Sequence, residues 1–264
     1  MARRRLDTLL AERGLYESRS RAAAAVMAGE VQLGSERRRA AKPGQLVTED
    51  VAVEVETPPP YVSRGGIKLA NALDAFGVDP AGRRCLDVGA STGGFTDCLV
   101  QRGAEHVTTV DVAYGELSWK LREDPRVTVI ERQNARELVA SELPYAPDLV
   151  VVDVSFISLA KVLPAVAAAA ADPFDLLALV KPQFEVGRDR VGGGGVVRSA
   201  SARRDALVSV ARFARQGLGL AVLGFASSGL PGPAGNRESF VRLAEPGRAG
   251  ALDDLESAGW RAEP

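Results

Sequence analysis

The chain opens on a short amphipathic segment. In residues 6–13, "LDTLLAER", apolar positions recur at helical spacing, and Gly14 follows as a stop. Ser18 or Ser20 is placed to cap a second helix through "RAAAAVMA", which Gly29 closes. Two short apolar runs come next, "VQL" and "VAVEV", set apart by turns at "GS" and "KPG". Two helices and a small curled sheet form an α+β module, residues 1–57, adequate for a compact fold but too small for a large core. "TPPP" then predicts a stiff connection, and residues 58–64 are expected to be a linker.

Beyond it the period changes. The runs "RCLDVG", "HVTTVDV", "RVTVIE", "PDLVVVDV", "LLALVKP", "LAVLGFASS" and "SFVRLAE" read as strands, with helical stretches between most of them. Near-continuous apolar strands between helices predict an α/β fold, its mostly parallel sheet covered on both faces. No helix fits in "GLPGPAGNRE", so the last of the seven strands is expected to return antiparallel. Ligands of such doubly wound sheets lie beyond the carboxyl ends of the strands, where the strand order switches. Residues 65–247 carry this pattern, and 248–264 follow as a tail with no recognised motif.

Composition changes the picture in two places. The chain of 264 residues, 46% hydrophobic and 25% charged, is that of a globular protein. Its net charge of -1 hides an uneven distribution: residues 1–42 hold ten Lys or Arg against five Asp or Glu. A basic amino-terminal module on a mildly acidic body is the layout of a protein guided by nucleic acid. Cys85 and Cys98 fall inside a strand and a helix, which predicts no disulfide and a reducing cytoplasm. The single histidine, His106, argues against a metal centre or a Ser-His-Asp triad. The apolar stretch "SLAKVLPAVAAAAADPFDLLALV" is interrupted by Lys161, Asp172, Pro173 and Asp175, so no membrane span is expected.

"CLDVGASTGGFTDCL", residues 85–99, joins a strand to a helix through a glycine-rich turn, where Gly89, Gly93 and Gly94 are expected to let the backbone approach a ligand. Asp111, 18 residues after Gly93, ends the next strand, where a carboxylate can receive ribose hydroxyls. The spacing departs from the dinucleotide fingerprint, and Asp87 before the first glycine suits a cationic ligand better than a pyrophosphate. Asn134 in "RQNAREL" is a candidate for an adenine edge. Asp153 and Lys181 end two predicted buried strands, where charged residues are seldom found unpaired. Lys68 in "YVSRGGIKLA" and Glu238 in "GNRESF" each read, alone, as solvated side chains.

Their order is informative. Lys68, Asp153, Lys181 and Glu238, set around "DVGASTGGFTD" and "KPQFE", resemble the K-D-K-E tetrad of the FtsJ-like ribose 2′-O-methyltransferases. The amino-terminal "RLDTLLAERGLYESRSRAAAAVMAGEVQLG" looks like the αL RNA-binding domain. With "YVSRGGIKL", "VDVSFISL" and "KPQFEVGR", the whole is similar to the TlyA family, also called haemolysin A. The resemblance implies a seven-stranded Rossmann-like methyltransferase sheet, S-adenosylmethionine as cofactor, no metal, and cytidines of 16S and 23S rRNA in ribosomal subunits as substrate. It implies catalytic roles for Lys68, Asp153, Lys181 and Glu238. Cofactor roles fall to Asp87, Gly89, Ser91, Gly93, Gly94, Phe95, Asp111 and Asn134. RNA contacts fall to Arg4, Arg5, Arg19, Arg21, Arg37, Arg38, Arg39 and Lys42. One departure is "VGGGGVV", where many relatives have a non-glycine residue near 193. The competing readings are a membrane-active haemolysin and a non-catalytic RNA-binding assembly factor.

Overall fold

A computed structural model describes residues 3–16, 18–55 and 60–263. The chain forms two compact units, residues 1–59 and 60–264. Positions 56–59, which include the expected end of the module and start of the linker, lie outside the described residues. Residues 60–64, expected as linker, belong to the second unit.

The first unit contains β1 (Arg3–Arg5), α1 (Leu6–Glu12), α2 (Arg19–Ala28), β2 (Val31–Leu33), β3 (Arg38–Arg39), β4 (Leu46–Thr48) and β5 (Val53–Val55). Ser18 caps α2 by accepting from the Arg21 amide, and Gly29 ends it at φ 80°. The order β3-β2-β5 makes one small antiparallel sheet, and β1 pairs with β4 in a second. Leu6, Leu10, Ala22, Val26 and Val31 form its core. The β1–β4 pair is absent from the apolar pattern because β1 is "RRR", wholly exposed, with no apolar side chain to mark it as a strand.

The second unit runs α3 (Arg64–Phe76), β6 (Arg84–Val88), α4 (Gly94–Gln101), β7 (His106–Asp111), α5 (Trp119–Arg122), β8 (Val127–Glu131), β9 (Leu149–Val152), α6 (Leu163–Ala168), β10 (Asp175–Val180), α7 (Pro182–Glu185), α8 (Ala200–Leu218), β11 (Ala221–Ser227), β12 (Ser239–Ala244) and α9 (Leu255–Ala262). The seven strands lie in the order β11-β12-β10-β9-β6-β7-β8. β12 is antiparallel to both of its neighbours, as the turn before it predicts. The two faces are read along β9: Leu149 and Val151 join the core with Leu69, Leu73 and Leu99 of α3 and α4, while Val150 and Val152 join that with Val166 of α6 and Leu207 of α8. Burial on both faces is why these strands read as unbroken apolar runs.

The strand order switches at β6: the chain moves one way to β7 and β8, then crosses back to β9 on the other side. The carboxyl ends of β6 and β9 therefore frame the crevice. Residues 248–264 are not a loose tail in the described part, since α9 lays Leu255, Ala258 and Gly259 inward and Arg203 of α8 pairs with Glu263.

Candidate active site

The turn after β6 is built for close backbone approach. Gly89, at φ 87°, donates its amide to the Val110 carbonyl at 2.8 Å, and a Cβ there would run into the Asp153 carbonyl beyond β9. Ser91 follows in the left-handed region at φ 48°, which turns its amide onto Asp111 Oδ2 at 2.7 Å. Asp111 Oδ1 accepts from the Ala113 amide at 2.8 Å. Both carboxylate oxygens are thereby oriented, and each keeps a second lone pair for a ligand.

Two adjoining cavities open beyond this turn. The first, about 530 Å³, is lined by Gly89, Ser91, Asp111 and Asn134, and also by Glu116 and Phe156. Its size lies within the roughly 300–1,000 Å³ typical of small-molecule sites. The second, about 490 Å³, is lined by Lys68, Lys181 and Glu238 with Gly94, Phe95 and Ser63. Gly89, Ser91, Asp153 and Ser155 line both.

The four tetrad positions meet at the second cavity as two ion pairs. Lys68 Nζ donates to Glu238 Oε2 at 2.6 Å, and both residues are buried, at 6% and 3% exposure. Lys181 Nζ stands 2.6 Å from Asp153 Oδ1, an ion pair off the hydrogen-bonding direction, and its hydrogen bond goes to Ser155 Oγ at 2.8 Å. Local structure explains each position. Lys68 shares the inward stripe of α3 with Leu69, Ala72 and Leu73. Asp153 and Lys181 are the first residues past β9 and β10. Glu238 precedes β12, and because that strand runs backwards its beginning lies at the edge where the parallel strands end.

The start of α3 is tied down from α4. Asp97, buried, accepts the Val62 amide at 2.8 Å, Gln101 Nε2 at 3.0 Å and Lys120 Nζ at 3.2 Å. Gly66 leaves room for the Tyr61 side chain and Gly94 for Ser63 Oγ. The glycine pair in "SRGGIK" thus serves close helix packing as it aims Lys68 inward.

Residues 61–245 match the FtsJ-like methyltransferase family. The chain belongs to that family. Residues 4–51 match the S4 domain. The chain is 49% identical to the 16S/23S rRNA (cytidine-2′-O)-methyltransferase TlyA of Mycobacterium tuberculosis, over 99% of this chain and 98% of that one. It is 39% identical to Hemolysin A of Brachyspira hyodysenteriae, over 74% of this chain and 80% of the other. A solved structure from Streptococcus thermophilus, described as a hemolysin, matches with TM-score 0.73 at 37% identity, covering 99% of this chain and 96% of its own. Within the described residues no helix is long and apolar enough to cross a membrane.

Of the residues expected to contact a cofactor, Asp87, Gly93, Gly94 and Phe95 lie outside the first cavity. Asp87 lines neither cavity: it is fully buried beneath the turn, accepting from Thr96 Oγ1 at 2.6 Å on Oδ2, with Oδ1 unpartnered. Burial pushes its carboxyl up to about 7. Gly93, at φ 94°, faces Leu117 and Leu121, so its missing Cβ serves packing. Phe95 lies on the second cavity and packs against Phe240, centroids 5.9 Å apart. Asn134 lines the first cavity and also accepts the Arg136 amide at 3.1 Å, the local turn its residue type favours. Glu116, Gln133, Arg136 and Phe156 join that wall without a sequence signal, because loops bring them in.

In the S4 unit most of the expected RNA-binding side chains are engaged. Arg4 pairs with Glu12 and Glu49, Arg37 with Glu54, and Arg38 with Glu36. Arg5 and Arg19 share the buried Asp7. Hydrogen bonds from Arg5 hold that carboxyl below its usual range, burial opposes them, and Arg19 adds to them. Arg39 lies against Gly29. Arg21 and Lys42 form no ion pair with a described carboxylate. The pairs other than those of Asp7 are exposed on both sides, where solvent screens each ion pair.

Proposed function

We propose that this protein is a cytoplasmic, S-adenosylmethionine-dependent methyltransferase that modifies the ribose 2′-hydroxyl of cytidines in 16S and 23S rRNA, acting on ribosomal subunits. The observation that carries the reading is the pair of lysine–carboxylate bridges, Lys68–Glu238 and Lys181–Asp153, lining one cavity that adjoins a second, nucleotide-sized one. The name of the Mycobacterium tuberculosis relative and its near full-length identity support the choice of target.

The residues of the first cavity suit S-adenosylmethionine. Asp111 and Glu116 supply carboxylates for ribose hydroxyls and a cationic ligand, the Gly89 turn lets the ligand lie against the backbone, and Asn134 offers amide groups to a base. Bound there, S-adenosylmethionine supplies an electrophilic methyl group. Lys68 and Glu238 hold the acceptor ribose in the second cavity, their mutual bond fixing both side chains. The ribose 2′-oxygen would form its bond to the methyl carbon as the carbon–sulfonium bond breaks, leaving a neutral thioether, and would lose its proton. Lys181 is the group placed to receive that proton, and Asp153 and Ser155 orient it. Holding the nucleophile in line supplies much of the remaining acceleration. Arg4, Arg5, Arg19, Arg21, Arg37, Arg38, Arg39 and Lys42 position the enzyme through phosphates without reading sequence.

The test is transfer of labelled methyl from S-adenosylmethionine to purified 30S and 50S subunits, followed by mapping of the modified nucleotide. Label on a cytidine 2′-oxygen supports the reading. Label on a base, or none on either subunit, overturns it.

A further inference from the structure

The glycine loop "VGGGGVV" and the turn "GLPGPAGNRE" are far apart in sequence, yet one side chain joins them. Asn236 is 1% exposed. Its Oδ1 accepts the Val197 amide at 2.9 Å, and its Nδ2 donates to the Gly195 carbonyl at 2.8 Å. Its backbone carbonyl accepts from the Gly232 amide at 2.8 Å, closing the turn on itself. Two residues on, Glu238 accepts the Ser228 amide on its carbonyl at 3.0 Å and Lys68 on its side chain. A Cβ at Gly232 would overlap Glu238 Oε1, so the closed turn forms one wall of the Glu238 carboxylate.

The loop on the other side of Asn236 is itself held. Gly192 donates to the Val196 carbonyl at 3.0 Å and Gly195 to Gly192 at 3.1 Å. Beyond Val197, Arg203 donates to the Arg198 carbonyl at 2.7 Å and pairs with Glu263 at 2.5 Å. A buried amide whose two ends are both satisfied fixes the separation of the backbones it bridges, because either unmade bond leaves a desolvated polar group.

We infer that Asn236 is a positioning residue: it locks the glycine loop onto the turn that delivers Glu238, and so sets where Glu238 and Lys68 present themselves to the acceptor ribose. The inference rests on the methyltransferase reading above and assigns no contact between Asn236 and any substrate. It gives the glycine run a purpose, since residues 192–195 turn back without side chains and bring the Gly195 carbonyl and the Val197 amide to one side-chain amide.

The test uses the full chain with Asn236→Ala and Asn236→Asp. The aspartate keeps the oxygen that accepts from Val197 but loses the donor to Gly195, and it covers the case in which the alanine variant fails to fold. Single-turnover methyl transfer is expected to fall on the order of 100-fold, as for a displacement of about 1 Å, with S-adenosylmethionine affinity within about twofold of wild type. In a Glu238→Gln background the same substitution should cost less than about threefold more, because both act on one group. Hydrogen exchange over residues 192–197 should quicken. A rate within about threefold of wild type, a loss that adds in full to that of Glu238→Gln, or cofactor affinity falling in step with rate would each overturn the inference. If the wild type methylates no RNA, the function proposed above fails instead. Unchanged exchange in the loop then still counts against Asn236, and faster exchange for it.

Discussion

Lys68 Nζ and Glu238 Oε2 stand 2.6 Å apart although 170 residues separate them, and their side chains are 8% and 1% exposed. The first helix of the catalytic unit is thereby joined to the approach of its last strand through two buried charges.

Removing either charge strands the other. Lys68→Met and Glu238→Leu, made singly, are expected to cost about 3–5 kcal/mol, whereas the double variant should recover most of that loss. Urea unfolding reads the stability, and a double variant no better than either single one would refute the buried-pair account. Methyl transfer should be absent from all three.

Lys181 is held without being sealed in, since its partners Asp153 and Ser155 line both cavities. Lys181→Ala should lower methyl transfer by about 10²–10⁴, the span of lost general acid–base catalysis, while cofactor affinity by calorimetry stays close to wild type. Wild-type turnover would remove Lys181 from the mechanism.

Gly89 and Gly115 make a matched pair. Both have positive φ, 87° and 77°, but a Cβ at Gly89 meets the backbone of Asp153 whereas one at Gly115 meets nothing within 4 Å. Gly115→Ala should therefore cost only about 1 kcal/mol of backbone strain, while Gly89→Ala should cost more and abolish cofactor binding. Equal affinities in the two variants would show that the close approach is not needed.

Much of this was legible because burial on both faces leaves β6, β9 and β10 as unbroken apolar runs. The reversed β12 could be read from a turn with no room for a helix. Asp87 was not legible in its true place: its proximity to the glycine turn says nothing about which side of the sheet edge it faces, and it lies beneath the turn, bonded to Thr96. The meeting of Lys68 with Glu238 was implied only by residue order and family likeness, since nothing local in "GIKL" or "NRES" encodes a contact 170 residues away. The bond from Asn236 to the glycine loop had no signal, because asparagine in a turn is ordinary.

Asp87 sets a pH dependence. Its carboxyl is raised to about 7 by burial, above its unfolded value near 4, so the folded state binds this proton more tightly. Its contribution to stability is accordingly greatest below about pH 4 and is lost as pH rises through about 7. Asp87→Asn should flatten that part of the stability–pH curve and gain most at pH 8. An unaltered curve would show that the carboxyl does not titrate in this window.

The S4 unit should respond through salt. Replacing Arg37, Arg38 and Arg39 by alanine is expected to weaken binding to ribosomal subunits and to reduce the slope of log affinity against log salt by about two. Arg19→Ala should act in the same direction, and it also removes one partner of the buried Asp7. Affinity and slope both unchanged would assign the module another role.

The reversed direction of β12 has a consequence for the protein's own synthesis. The turn, the Asp111 carboxylate and the Lys181–Asp153 bridge are all encoded before residue 182, but Lys68 has no counter-charge until Glu238 has been made and β12 can insert between β10 and β11. A growing chain can complete its first cavity early, yet its second closes only when the last strand is home. The two halves of the crevice thus become complete at different stages of the chain's synthesis, the second only after residues 238–244 have been made.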